Sequence, residues 1–213
     1  MNLLCLYINK IRFETRQFAS SIELYGDIKD HTCWLVDSLI LNAEESSSLV
    51  EMNKSIEGCL LYRATRDGFA AEDFHYRCDG RANTITIIKN NLDYVFGGYA
   101  SASWNSSSRH IYDPKAFLFS LRRDGKSCKE KFSIKKPEAA LYSFLCFGPS
   151  FGGGNDLLVC DQSNIKAESY AGLGHSFNLP AGYSYSGNTN GLITGKHKDW
   201  TTTEIEVYQI NFH

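Results

Sequence analysis

The chain has 213 residues, a formal net charge of −2 at pH 7, 43% hydrophobic residues and 22% charged residues. That length carries one well-packed domain more readily than two small cores, and the composition belongs to a folded globule. The near-neutral charge excludes the clustered basic footprint of a nucleic-acid binder, and no stretch reaches the ~20 apolar residues that span a bilayer.

Residues 1–34 are mixed and weakly periodic, with "LLCLYI" cut short by Asn9 and Lys10, a poor secretory signal. They read as an N-terminal extension or linker with one short helix around 11–24, ahead of a domain over 35–213. A helix is predicted from about Ala43 to Met52, with Asn42 as its cap and Glu44 and Glu45 at the positive end of its dipole. Strand-rich sequence follows: "CLLYRA" (59–64), "TITIIK" (84–89), "DYVFGGYAS" (93–101), "AFLFSL" (116–121), "CKEKFSI" (128–134), "LYSFLCF" (141–147), "NDLLVC" (155–160) and "EIEVYQINF" (204–212). Asn90-Asn91-Leu92 and Asp124-Gly125 read as hairpin connections. Many short strands with few helices predict an α+β, mainly β fold: two antiparallel sheets packed as a β-sandwich with a few short flanking helices.

"RDGFAAEDFHYRCDG" (66–80) gathers Arg, Asp, His and Cys, yet its spacing is that of a strand-to-helix junction. Asp67 is placed to cap a helix from about Gly68 to Arg77, and Gly80 to end it. Ala70, Phe74 and Cys78 share one face, while Asp73 and Arg77 form an acid-before-base pair four apart. His75 and Cys78 lack the further ligands that zinc requires, so no metal or cofactor is expected.

"FGPSFGGGNDL" (147–157) lacks the Lys and Ser/Thr of a phosphate loop and the βαβ setting of a dinucleotide fold. Its glycines, like Gly97-Gly98, read as tight backbone passages. Glu204 and Glu206 share a strand face and read as solvated. Seven cysteines (5, 33, 59, 78, 128, 146, 160) contain no CxxC pair. Cys59, Cys146 and Cys160 sit in apolar runs and read as buried free thiols, which points to a reducing compartment, cytosol or nucleus. The sequons at Asn53 and Asn105 then carry no meaning.

Seven motifs in fixed order, "LLYRATRDGF", "FHYRCDG", "YVFGGYASASW", "DPKAFLFSL", "SFGGGNDLLVCD", "YAGLGHSF" and "EIEVYQI", resemble the TLDc domain family of oxidation-resistance proteins and some Rab-GAP-like proteins. The similarity runs from about Asp37 to Phe212. It implies a two-sheet sandwich, a role in protection against oxidative damage, and engagement of the V-type proton ATPase. The matching signature positions are Arg66, Asp67, Gly68, Asp79, Gly80, Gly97, Gly98, Trp104, Gly152, Gly153, Asp156 and Gly174. Glycines and turn acids define backbone shape first and a partner surface second. The segments "SASWNSSSRHIYDP" and "AGYSYSGNTNGLITGKHKDW" read as exposed recognition loops.

The expectation is therefore a non-catalytic interaction domain: cytoplasmic (or nuclear or organelle-associated), monomeric, without cofactor or membrane insertion, and binding a protein such as a V-type ATPase subunit. The alternative is a thiol-based redox enzyme or sacrificial antioxidant using Cys78 or Cys128, the latter set between Lys126 and Lys129. A structural module of a larger protein is a third possibility.

Overall fold

The structure, a computed structural model, describes residues 37–53, 57–185 and 191–211. The expected extension over 1–34, with its helix, lies outside the described residues. Chain order runs α1 (Ala43–Asn53), β1 (Glu57–Arg63), α2 (Ala64–Asp67), α3 (Ala71–Cys78), β2 (Thr84–Asn90), β3 (Val95–Ala100), β4 (Arg109–Ile111) and β5 (Phe117–Arg123). It continues with β6 (Lys126–Ser133), a 3-10 turn (Pro137–Ala139), β7 (Leu141–Ser143), β8 (Phe147–Phe151), β9 (Leu157–Cys160) and β10 (Thr202–Asn211).

Six strands form one antiparallel sheet in the order β1-β10-β2-β3-β5-β6, and four form a second in the order β4-β7-β8-β9. The predicted β-sandwich is thus what the chain builds. One core contains Ile88, Phe96, Leu118 and Val207 of the large sheet, Phe151 and Val159 of the small one, and Phe74 and Trp104 beside them. A second core, with Ile85, Ile87, Phe119 and Tyr208, is closed by Ile40 and Leu49 from the segment around α1. With apolar layers on both faces, β2 and β3 are buried almost throughout. That explains why the residues alternating with isoleucine in "TITIIK" are Thr84 and Thr86, both buried, and not charged side chains.

Local chemistry accounts for the ends of these elements. Asn42 Oδ1 accepts the Glu45 N–H at 2.9 Å and Glu45 Oε2 accepts the Asn42 N–H at 3.0 Å, a reciprocal box that starts α1. Asn90 Oδ1 accepts the N–H groups of Leu92 and Tyr94 at 3.1 and 3.0 Å, which closes the β2–β3 hairpin. Asp124 and Gly125 both take positive φ (48° and 70°), as a two-residue hairpin turn requires.

Several expectations need correction. The helix predicted from Gly68 to Arg77 is α3, which starts only at Ala71; Gly68, at φ 116°, lies outside it and separates it from the short α2 that precedes it. Asp67 ends α2 and does not cap α3; Asp73 accepts the Ala70 N–H at 3.1 Å and Asp161 accepts the Ala71 N–H at 3.0 Å. Arg77 pairs with Asp67 at 3.1 Å in place of the expected Asp73. Phe74 and Cys78 are buried as expected, whereas Ala70 is half-buried. "LYSFLCF" is broken after Ser143, and "FGPSF", read as part of a glycine turn, is strand β8. The loop expected over 101–114 contains β4 and the fully buried Trp104. In the second expected loop Tyr183 and Tyr185 are exposed, but Ile193, Thr194 and Trp200 are buried.

Glu204 and Glu206 are not solvated. They lie on β10 at 6% and 0% exposure. Glu206 accepts Arg63 Nε and the Leu39 N–H, both at 2.9 Å, and the Ser38 hydroxyl at 2.6 Å. Glu204 accepts the Thr65 N–H at 3.1 Å and the Thr65 hydroxyl. Contrary to expectation Cys59 and Cys146 are exposed, Cys59 on the edge strand β1 and Cys146 in the turn between β7 and β8.

Candidate functional site

The signature residues fall into four places on the sandwich. At the β1–α2–α3 junction, the Asp67 side chain is 4% exposed and faces two guanidinium groups. It accepts the Arg63 N–H at 3.0 Å and Arg66 Nη2 at 2.7 Å, with Arg77 Nη2 at 3.1 Å. Burial opposes ionisation, but Arg66, the Arg63 amide and Arg77 outweigh it and hold the carboxyl below the usual range. Gly68 follows, its carbonyl accepting the Tyr62 hydroxyl at 2.7 Å. Asp67 therefore holds the corner together, and the outer edges of Arg66 and Arg77 remain half exposed.

Asp79 closes α3 from the other end. Its carboxylate takes His75 Nδ1 at 2.9 Å and the Ser106 hydroxyl. His75 Nε2 lies 3.1 Å from the carbonyl oxygens of both Phe144 and Phe147, which ties α3 to the β7–β8 turn. Gly80, at φ 78°, donates its N–H to the Trp104 carbonyl at 2.8 Å. Trp104 Nε1 donates to Thr84 Oγ1 at 3.0 Å, and its ring meets Phe74 and Phe151 edge-on at 5.2 and 5.4 Å.

Gly97 and Gly98 lie in the middle of β3, where the backbone is approached from both faces. A Cβ at Gly97 would collide with the Thr86 carbonyl and stand 2.8 Å from Phe119; one at Gly98 would stand 2.7 Å from Phe151. Both rings belong to the cores, so the pair is a packing device.

The glycine-rich turn is organised by Asp156, which has no exposed surface. Asp156 Oδ1 accepts the N–H groups of Gly174 and His175 at 2.7 and 2.9 Å, and Oδ2 accepts that of Ser176 at 2.9 Å. Burial pushes its carboxyl above the usual range, and the amides pull it part of the way back. Gly152, at φ 85°, lies so close to this carboxylate that a Cβ would overlap it. Gly153 donates its N–H to Ser176 Oγ at 3.0 Å. Its Cα is flanked by His110 and His175, whose Cε1 atoms would each stand 3.4 Å from an added Cβ.

These signature side chains do not converge on one another. Each acid is engaged by backbone amides, guanidinium groups or neighbouring side chains that hold loops onto the sandwich. Among the described residues no group of three or more His, Cys, Asp or Glu is placed to hold a metal ion. No helix among them is long and apolar enough to cross a membrane.

The two thiols singled out lie apart as well. Cys78 is fully buried on α3, and burial followed by the charges of Asp79 and Asp67 pushes its thiol far up, away from a reactive thiolate. Cys128 is half-buried on β6, with its Sγ 3.5 Å from Ser120 Oγ.

Sequence reasoning missed two buried acid centres. Glu45 lies fully buried beneath α1, clamped by Arg122 Nε at 2.7 Å and Nη2 at 2.8 Å. Asp113 accepts the N–H groups of Ser101, Ala102 and Lys115 at 2.6, 2.9 and 3.0 Å. Their partners are remote in sequence or lie in irregular backbone, so no local pattern announced them.

Comparison with known proteins matches residues 35–211 to the TLDc domain. A zebrafish (Danio rerio) protein, MTOR-associated protein MEAK7, is 36% identical over 44 residues. That match spans 21% of this chain and a tenth of the length of the relative. A domain match over most of the chain, on a sandwich whose loops are pinned by the signature acids and whose strands pass at the signature glycines, places the protein in the TLDc domain family.

Proposed function

We propose that this protein is a non-catalytic interaction domain, acting in the cytoplasm as a monomer, that engages a V-type proton ATPase and contributes to resistance against oxidative stress. One observation carries the interaction part: Asp67, Asp79 and Asp156 are committed to scaffold contacts. That commitment leaves loops on a rigid sandwich as the elements that meet other molecules. The family resemblance supplies the pump and the stress response. The name of the zebrafish relative, MTOR-associated, is that of a protein-binding protein and supports the same class of role.

The test is capture from lysate with the full chain as bait, under varied nucleotide and salt conditions. Recovery of proton-pump subunits, reduced by substitutions on exposed loops that leave the unfolding midpoint unchanged, is the expected result. Capture of other proteins without any pump subunit removes the pump from the proposal.

A further inference from the structure

The stretch "RDGFAAEDFHYRCDG" contains a group of side chains that the scaffold does not use up. Two arginines share Asp67: its Oδ1 accepts Arg66 Nε at 3.0 Å and Arg77 Nη2 at 3.1 Å, and its Oδ2 accepts Arg66 Nη2 at 2.7 Å. The Asp67 side chain is 4% exposed, whereas both arginine side chains are 47% exposed. One buried carboxylate thus holds two guanidinium groups side by side at the surface, and the trio keeps a surplus positive charge. Arg66 Nη1 and Arg77 Nε and Nη1 have no hydrogen-bond partner among the described residues.

Beside this pair Tyr76 projects from α3 at 85% exposure, with the Arg77 guanidinium 5.7 Å from its ring centroid. Tyr and Arg are the residue types that carry most binding energy at interfaces. Their support is rigid. α3 is held at its start by Asp73 and Asp161, which accept the Ala70 and Ala71 N–H groups. It is held at its end by His75, which meets Asp79 and the β7–β8 turn, and along its inner face by the buried Phe74 and Cys78. Side chains fixed in this way lose little freedom when a partner arrives. The acids of α3 leave the arginines to solvent: among the described residues neither Glu72 nor Asp73 forms an ion pair with them. Glu72 is exposed one turn before Tyr76, so an incoming anion is directed to the Arg66 side of the ring.

We infer that Arg66, Tyr76 and Arg77 form a recognition surface for an acidic segment of a partner polypeptide. An Asp or Glu carboxylate bridges the two guanidinium groups, and an apolar side chain next to it packs on the Tyr76 ring. Charge complementarity selects the occupant, since a basic segment would meet the surplus positive charge. The inference rests on the interaction-domain reading and deepens it by naming a surface and the chemistry it meets.

The test is an NMR titration of the isotope-labelled full chain with three probes: acetyl-Glu-Glu-Phe-Glu-Glu-amide, acetyl-Gln-Gln-Phe-Gln-Gln-amide and inorganic phosphate. The Glu peptide is expected to shift the Nε–H signals of Arg66 and Arg77 and the backbone amide of Tyr76, with a Kd of about 1 mM. The Gln peptide should bind about tenfold more weakly, and Arg77→Gln should weaken the Glu peptide by a similar factor. Arg77 also pairs with the buried Asp67, so Tyr76→Ala serves as a second variant. At its exposed position it should keep the unfolding midpoint within about 2 °C and weaken the Glu peptide about fivefold. No shift at these positions, equal binding of the Gln peptide, or an unchanged Kd in either variant would overturn the proposal. Phosphate reproducing all three shifts at the same concentration would mark an adventitious ion only and overturn it too. Each of these failures leaves pump capture intact, and capture without pump subunits leaves the peptide shifts in place, so the two readings fail separately.

Discussion

Asp156 reaches across 20 residues of chain to take the backbone N–H of Ser176 at 2.9 Å, and the same carboxylate holds the Gly174 and His175 amides. One buried side chain thereby replaces the hydrogen bonds that a strand would have given to a loop. Asp156→Ala leaves several buried amides unpaired and is expected to cost about 3 kcal/mol or more in urea unfolding. Gly152→Ala, strained at φ 85° and overlapping the same carboxylate, should destabilise as well. A loss below about 1 kcal/mol for Asp156→Ala would contradict the role given to it.

The Glu45–Arg122 pair fixes α1 to the large sheet. Removing one partner strands a buried charge, so Arg122→Met is expected to cost about 3–5 kcal/mol. Adding Glu45→Leu should recover most of that loss, because a packed apolar pair avoids the desolvation of both ions. Chemical unfolding of both single variants and the double variant measures the coupling.

Thiol accessibility separates the cysteines. In a Cys5→Ser, Cys33→Ser background, a thiol reagent should modify the exposed Cys59 and Cys146 first and Cys128 more slowly. The buried Cys78 and Cys160 should react only after denaturation. Rapid labelling of Cys78 in the native chain would revive the redox reading, and mass spectrometry of the modified peptides decides it.

Acid should weaken the fold through identifiable carboxylates. Asp67 and Asp93 are held below the usual range despite burial, Asp67 by Arg66 and the Arg63 amide, Asp93 by Lys89 and Arg122. Asp161 is held low by Lys166 and then by the Ala71 amide. A depressed folded-state value means stability that is present above the unfolded pKa, near 3.9, and lost as pH falls through the folded value. Asp93 is 52% exposed, so screening leaves it a small share. The unfolding midpoint should therefore drop below about pH 4, and Asp67→Asn should flatten that drop.

Local pattern made much of the fold legible. The Asn42 cap, the hairpins at Asn90 and Asp124-Gly125, and the buried stripe of Phe74 and Cys78 each depend on residues a few positions apart. Other features were hidden. The helix expected from Gly68 begins only at Ala71, and Asp67, expected as its cap, is engaged by the Arg63 amide, Arg66 and Arg77, one of which lies ten residues on. "FGPSF" becomes a strand because β7 and β9 offer it partners, which outweighs its glycine and proline.

By themselves, the apolar runs and turn residues determined a two-sheet sandwich, since short-range backbone preference and side-chain period carry that information; the ordered motifs carried the resemblance to the TLDc family. Only the tertiary structure decided where the acids go. Glu204 and Glu206 look like a solvated strand face until Thr65 and Arg63 pack over them. Burial and charge pairing are set by neighbours distant in the chain, and a linear sequence does not state who those neighbours are.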